Sequence, residues 1–292
     1  MLSPDIIRKI KKVHIKSARA VDAAMAGHYR SLFRGVGIEF EEVREYIPGD
    51  EVKSIDWKVS ARLGRPFVKR YREEREREVV LLVDMSASGR FGTGEALKRE
   101  VAAETAGVLA FSAVRSNDKV GALFFTDRVE KYLPPRKGAA HVWQVIREIF
   151  SFAPAGPGTD IREALAFFGR VGRRRTVAFL LSDFLDAGYE REMKILARRH
   201  ELIGVRLFDP GEFDLPAGGI LQVRDLETGE RLWIDAGNPE TRRAWRESRE
   251  AAVRSAEAAF RSAGVPWLAI GTGEEAADAL NRFFRKRERM RR

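Results

Sequence analysis

Apolar residues recur along this chain with two different periods, and the switching between them predicts the order of its elements. Val79-Val80-Leu81-Leu82-Val83 is an unbroken apolar run closed by a polar loop, the pattern of a strand buried on both faces of a parallel sheet. Leu97, Val101, Thr105, Val108 and Leu109 then share one face of a helix near 95–115. Two further runs, Val120 to Phe125 and Val129 to Leu133, are separated only by Thr126-Asp127-Arg128. So short a connection implies a hairpin, and makes the second run an antiparallel edge strand. Helices near 139–150 and from Ile161 to Phe168 precede a strand from Thr176 to Leu181. A helix near 188–199, a strand 202–207 and a hairpin-like excursion through Leu221 to Ile234 follow. A long helix 239–262, a short strand 265–270 and a helix 274–285 complete the pattern. This alternation predicts an α/β fold: a doubly wound, mostly parallel sheet with one antiparallel edge strand.

The first 77 residues have a different texture. Ser3-Pro4-Asp5 has the residue types of a helix start, and Ile6, Ile10, Val13, Val21 and Ala24 follow at helical spacing among Lys9, Lys11, Lys12 and Lys16. The segment 1–34 therefore reads as a basic amphipathic helical region, packed on the body or offered to an acidic surface. Segment 35–77 is β-rich, with an extended stretch from Ile38 to Ile47 and a turn at Pro48-Gly49-Asp50. Ile55-Asp56-Trp57-Lys58 and Pro66-Phe67-Val68-Lys69 are expected to be short extended segments. The charged run Arg70 to Glu78 is expected to be a solvated edge or linker. The main domain then spans 78–281, leaving 282–292 as a basic tail.

Composition narrows the function classes. The 292 residues are 44% hydrophobic, ample for a core, and contain no cysteine, which excludes disulfides, thiolate metal sites and cysteine nucleophiles. No apolar stretch is long enough to span a bilayer and no signal-peptide pattern opens the chain, so a cytoplasmic protein is expected. The formal net charge is +10, but residues 1–20 and 281–292 carry all of it and the body is nearly neutral. Sequence-specific nucleic-acid binding is not expected, since no reading motif accompanies the basic ends.

Candidate chemistry sits where the first core strand stops. Asp84-Met85-Ser86-Ala87-Ser88 follows Val83 directly, placing a carboxylate and two hydroxyls at the carboxyl end of a buried strand, where open α/β sheets bind ligands. One carboxylate with spaced hydroxyls suits a hard divalent cation such as Mg²⁺ (or Mn²⁺), which takes oxygen ligands and leaves positions for water or a partner. The switch point of the sheet lies between the first and fourth strands, and the fourth ends in Ser182-Asp183. In Gly156-Pro157-Gly158-Thr159-Asp160 the Thr159 hydroxyl can reach the same crevice, whereas Asp160 is placed to cap the following helix.

The series Asp84-x-Ser86-x-Ser88, Thr159 and Asp183 resembles the metal-ion-dependent adhesion site of the von Willebrand factor type A domain. That resemblance implies Asp84, Ser86, Ser88, Thr159 and Asp183 as metal ligands, with a vacant position that a partner's acidic side chain completes. Upstream, Gly37-x-Glu39-Phe40, Arg44-x-Tyr46-x-Pro48-Gly49-Asp50, Ile55-Asp56-Trp57 and Ala61-Arg62 resemble the signature of the bacterial family domain of unknown function 58. Asp209-Pro210-x-Glu212, Leu215-Pro216 and Asp225-x-Glu227-x-Gly229 are similar to it as well. The family resemblance implies an adaptor or co-chaperone of a MoxR-type AAA+ ATPase, and the sequence offers no nucleophile–base pair, so a non-enzymatic role is expected. Arg44, Asp50, Asp56, Trp57 and Arg62 either fasten their segment to the sheet, through salt bridges and an aromatic plug, or form a docking surface for the ATPase.

Two rival classes remain at this point. A Mg²⁺-dependent phosphoester hydrolase would use Asp84, Asp160 and Asp183 with a bound water. Binding through the basic termini would be salt-dependent and indifferent to sequence, on nucleic acid or on a peripheral membrane surface. Gly89-Arg90-Phe91-Gly92-Thr93-Gly94 lacks the Gly-Lys-Ser/Thr of a phosphate loop and reads as a flexible crossover.

Overall fold

Two strands and a short helix precede the main sheet in the computed structural model, which describes residues 7–13, 15, 38–73 and 77–291. Strand β1 (Ile38–Glu45) pairs antiparallel with β2 (Phe67–Glu73), and α1 (Trp57–Leu63) lies between them in the chain. Here the sequence expectation needs correction. Of the stretch 55–58, only Ile55 is strand-like, bridging Val68, while Trp57 and Lys58 open a helix. The cause is local: the Asp56 carboxylate accepts hydrogen bonds from Lys58 N and Val59 N, at 3.0 and 3.3 Å, and caps the first turn. Gly64, at φ 67°, supplies the left-handed residue that ends it. The charged run from Arg70 is also partly strand, because β2 continues to Glu73 opposite Ile38.

Beyond this segment the chain runs through β3 (Glu78–Asp84), α2 (Lys98–Arg115), β4 (Lys119–Phe125), β5 (Val129–Arg136), α3 (Ala139–Ser151) and α4 (Ile161–Val171). It continues with β6 (Thr176–Ser182), α5 (Glu190–Arg199), β7 (Glu201–Phe208), β8 (Ile220–Arg224) and β9 (Arg231–Asp235). The last elements are α6 (Pro239–Ala263), β10 (Trp267–Gly271) and α7 (Ala276–Arg291). Six strands form one sheet in the order β10-β7-β6-β3-β4-β5. Every neighbouring pair is parallel except β4 with β5. This is the doubly wound α/β fold with an antiparallel edge strand. Its switch point falls between β3 and β6, which puts the ends of those two strands side by side.

Alternation along β3 explains why the run 79–83 is apolar throughout. Val79, Leu81 and Val83 pack on one face with Val101, Leu109, Val145, Ile149, Leu280 and Phe284, residues of α2, α3 and α7. Val80 and Leu82 face the other way, onto Leu165, Phe168, Met193 and Phe260 of α4, α5 and α6. All five are at most 1% exposed, and each such burial is worth about 1.5–3 kcal/mol. The rigid sheet that results holds the carboxyl ends of its strands in fixed register.

At the edges, β5 carries Pro134-Pro135 where its pairing with β4 is irregular, between Val120 and Ala122. Gly121 lies opposite, where a Cβ would collide with the Leu133 carbonyl oxygen. Toward the N-terminus, residues 7–13 are helical and bring Val13 into the core, with Lys9 paired to Glu100 at 2.7 Å. Ile6, Lys16, Val21 and Ala24 lie outside the described residues. The basic stretch 282–292, expected as a tail, is largely the last turns of α7: Phe284 is buried and Arg287 pairs with Glu201 at 2.9 Å. Among the described residues no helix is long and apolar enough to cross a membrane.

Candidate metal centre

Strand register brings Asp84 and the β6 terminus together. Asp84 Oδ2 accepts a 2.6 Å hydrogen bond from the Ser182 hydroxyl, and Oδ1 accepts one from Ser86 N at 2.9 Å. The Ser86 and Ser88 hydroxyls lie 3.0 Å apart, and Ser88 lines the same cavity as the Asp183 carboxylate. Ala87 N donates to the Pro157 carbonyl at 2.8 Å, fastening the 86–88 loop to the loop that carries Thr159. The Thr159 hydroxyl donates to Glu227 Oε1 at 2.9 Å. Asp84, Ser86, Ser88 and Asp183 therefore gather at one place on the rim of the sheet, while Thr159 stands on the adjoining loop, outside the lining of the cavity between them. A cavity of about 20 Å³ opens among Asp84, Ser86, Ser88, Lys98 and Asp183, room for a water-sized occupant.

The residue after Asp183 shows how firmly this rim is held. Phe184 adopts φ 57°, a left-handed conformation costly for a bulky side chain. Its ring, 1% exposed, is edge-on to Phe260 at 4.8 Å and close to Trp267 and Tyr189. Packing in the core thus holds a backbone turn that aims Asp183 at the rim.

Charge is unevenly compensated here. Burial pushes the Asp84 carboxyl up to about 7, the neighbouring Asp183 charge adds to this, and the bonds from Ser182 and Ser86 only partly oppose it. Asp183 goes the other way. Burial works to raise it, but the Lys98 ammonium, 2.8 Å from Oδ2, outweighs burial and holds it below the usual carboxylate range. Lys98 is itself buried and also contacts Glu212 Oε1 at 2.5 Å. Burial favours its neutral form, yet the two carboxylates raise it above its ordinary value. Glu227 is raised by burial and then by the Asp183 charge, against the Thr159 hydrogen bond.

Lys98, Glu212, Ser182 and Glu227 were missed as site residues. Glu212 and Glu227 lay inside stretches that resemble the family signature, which was the available signal. Lys98 offered none, because a lysine near a helix start is usually solvated. Asp209, fully enclosed, explains how Glu212 is positioned: it accepts from Thr93 N and Oγ1, at 3.0 and 2.5 Å, from Gly211 N at 2.8 Å and from the Thr272 hydroxyl at 2.6 Å. The 89–94 crossover, expected to be flexible, is therefore pinned at Thr93.

Asp160 caps α4 by accepting from Glu163 N at 2.8 Å, as its position in the sequence suggested. The residues of segment 35–77 divide. Arg44 makes a two-pronged pair with Asp50, at 2.8 and 2.7 Å, and Asp56 caps α1 and pairs with Lys69 at 3.1 Å. Trp57 is 68% exposed and Arg62 is exposed too, so the expected aromatic plug is absent and both side chains face solvent.

The donor set fits a hard divalent cation. Among the described residues no three His, Asp or Glu side chains converge on one metal position, so hydroxyls must supply several of the ligands. Hydroxyl and carboxylate oxygens are what Mg²⁺ accepts. Asp84, half-buried and without a cationic partner among the described residues, is the group that needs one.

Comparison with known proteins gives a family for most of the chain. The family described as protein of unknown function DUF58 matches residues 42–256. The Mycobacterium tuberculosis protein Rv1480 is 32% identical over 291 residues, covering 98% of this chain and 91% of its own. Among solved structures, an aerotolerance-related membrane protein of Bacteroides fragilis aligns with 72% of this chain and 99% of its own, at 17% identity and a TM-score of 0.46. Mussel byssus proximal thread matrix protein 1, with a zinc-occupied MIDAS motif, aligns with 45% of this chain and 38% of its own, at 19% identity and a TM-score of 0.36. With the family match running from β1 into α6 and a relative 32% identical over nearly the whole length, the chain belongs to the DUF58 family.

Proposed function

We propose that this chain is a non-enzymatic, metal-dependent protein-interaction module, an adaptor or co-chaperone of a MoxR-type AAA+ ATPase. Asp84, Ser86, Ser88, Thr159 and Asp183 would hold one Mg²⁺ (or Mn²⁺) at the carboxyl edge of the sheet. When bound, that ion supplies a localised positive charge that attracts a carboxylate. Ser86, Ser88 and Thr159 contribute neutral oxygens, so the ion's charge is not exhausted by its own ligands. Asp183 is kept ionised by Lys98, and the Phe184 turn fixes where it points. The reading rests most on one observation: Asp84 is half-buried with no cationic partner among the described residues, beside a second carboxylate and two hydroxyls.

Trp57 and Arg62, exposed on the signature segment, are the residues we assign to contact with the ATPase. A cytoplasmic location is part of the same proposal, compatible with a chain free of cysteine. Calorimetric titration with Mg²⁺ and Mn²⁺ tests the metal half. Wild type should bind one ion and Asp84→Asn none; equal affinity in both ends the reading. Co-purification with a co-expressed MoxR-type ATPase tests the other half. Association should be lost in EDTA and in Asp84→Ala, and association indifferent to both removes the metal bridge.

A further inference from the structure

Two arginines stand beside the cavity next to Asp84, and among the described residues neither has a carboxylate of its own. Arg99 follows Lys98 in the first turn of α2 and lines that cavity with Ser88, Gly89 and Asp183. Arg90 ends the short helical turn Ala87–Arg90, which begins directly after Ser86. The turn and the helix are in contact, since a Cβ at Gly89 would lie 3.7 Å from the Arg99 Cβ. Arg99 Nη2 donates to the Phe152 carbonyl at 2.9 Å, which fixes the side chain without neutralising it. Arg99 is half-buried and Arg90 exposed. Burial, and then the charge of Arg90, hold the Arg99 guanidinium below its ordinary value, with no carboxylate to offset them. Their neighbour Lys98 differs, being held between Asp183 and Glu212.

We propose that Arg99 and Arg90 form an anion clamp beside the metal position, so that the partner segment captured there is acidic beyond the one carboxylate that binds the ion. The inference rests on the metal reading above and deepens it by naming the partner's chemistry. Two like charges gathered together, one of them half withdrawn from water, cost free energy that an arriving anion relieves. The carboxylates already present do not serve. Asp183 is taken by Lys98, and Asp84 accepts from Ser182 and from Ser86 N. With one nitrogen of Arg99 anchored on Phe152, its remaining donors are positioned in advance for a ligand, and a guanidinium matches the planar geometry of a carboxylate. In the metal-free protein Asp84 and Asp183 repel an incoming acid. A bound cation reverses the local charge and acts in the same sense as the two arginines. A segment with two neighbouring acidic residues can then place one on the ion and the other on the clamp. Cation and acidic segment should bind cooperatively, each raising the affinity of the other by the same factor.

The test uses the full-length chain with Mg²⁺ and two end-blocked, fluorescently labelled peptides. One carries two adjacent glutamates among glycines, and in the other the second glutamate is glutamine. Anisotropy would give the peptide affinities of wild type, Arg99→Gln and Arg90→Gln, and calorimetry their affinities for Mg²⁺ alone. Wild type should prefer the two-acid peptide by about tenfold, and Arg99→Gln should lose that preference. Arg90→Gln, at an exposed position, should lose about threefold. Both variants should bind Mg²⁺ as tightly as wild type or more tightly, because a positive neighbour has gone. The loss from Arg99→Gln and the loss from the glutamine peptide should not add, since each removes the same contact. No preference in wild type, or an unchanged preference in both variants, overturns the clamp; peptide binding that EDTA abolishes then leaves the metal reading standing. Loss of Mg²⁺ and peptide affinity together in Arg99→Gln also overturns it, since the residue would then act only by supporting the fold of the site. Absence of Mg²⁺ binding by wild type removes both readings. Should urea titration show Arg99→Gln to be unfolded, Arg99→Lys takes its place, keeping the charge without the fork, and its preference should fall by about threefold.

Discussion

Replacing Asp84 with asparagine should stabilise the metal-free protein and abolish its response to Mg²⁺. The magnitude follows from the site. The carboxyl is raised from its ordinary value of 3.8 to about 7 by burial and by Asp183. Those about 3 units, at about 1.36 kcal/mol each, amount to roughly 4 kcal/mol of cost for the ionised form. The sign is fixed by linkage. An unfolded Asp84 ionises near 3.8 and a folded one near 7, so the favourable contribution of the protonated form is complete below about pH 4. It is lost as the pH rises through about 7. Asparagine keeps the acceptor for Ser86 N but turns a donor toward Ser182 Oγ, which already accepts from Phe184 N at 3.2 Å, leaving the Ser182 proton unplaced at a cost of about 1 kcal/mol. In EDTA at about pH 8 the variant should therefore be more stable than wild type by roughly 3 kcal/mol, and at about pH 4.5 the advantage should disappear. Excess Mg²⁺ at 100 times its dissociation constant should add about 2.7 kcal/mol to wild type alone. Urea denaturation across that pH range measures all of this. A variant less stable than wild type by the same amount at every pH would refute the reasoning, since the Asp84 charge would then carry no cost to relieve.

Lys98→Ala should destabilise the protein by about 3–5 kcal/mol in urea, because it leaves the buried Asp183 and half-buried Glu212 carboxylates without their shared ammonium. For Asp209→Ala, loss of the contacts from Thr93, Gly211 and Thr272 should cost about 3 kcal/mol near neutral pH. Burial tends to raise the Asp209 carboxyl, but those hydrogen bonds prevail and hold it below the ordinary range. Its contribution is thus present above the unfolded value and lost on acidification through the folded one, and the gap from wild type should close in acid denaturation. Trp57→Ala with Arg62→Ala should leave the unfolding free energy in urea within about 0.5 kcal/mol of wild type, both side chains being exposed, while weakening co-purification of the ATPase.

How far the amino-acid sequence reaches depends on the distance over which each cause acts. The order of strands and helices in the main sheet is legible because unbroken apolar runs such as 79–83 have one stable place, between two layers of helices. The meeting of Asp84 with the β6 terminus follows from the winding rule. Trp57 was misassigned because a single cap at Asp56 and a single glycine at 64 decide a seven-residue helix, and a short apolar stretch does not announce which period it will adopt. Lys98 was invisible for the opposite reason. Its burial depends on Asp183, 85 positions away, and on Glu212, 114 away, and no local pattern encodes a partnership of that span. Glu227 sat in a recognisable motif, but its reach to Thr159 needed the hairpin to fold first.

The irregular end of β5 has a bearing on how copies of this chain can associate. A strand on the rim of a sheet offers donors and acceptors to any extended segment that drifts alongside, the ordinary route to fibrous aggregates. Pro134 and Pro135 lack the amide hydrogens such a visitor would need, and they fall where the ladder to β4 is already broken. Because successive amides along a strand point to opposite sides, one of the two prolines removes an outward donor, and addition of a strand is hindered at that end of β5. Valine at both positions should restore the missing donors and show itself as slow, concentration-dependent precipitation.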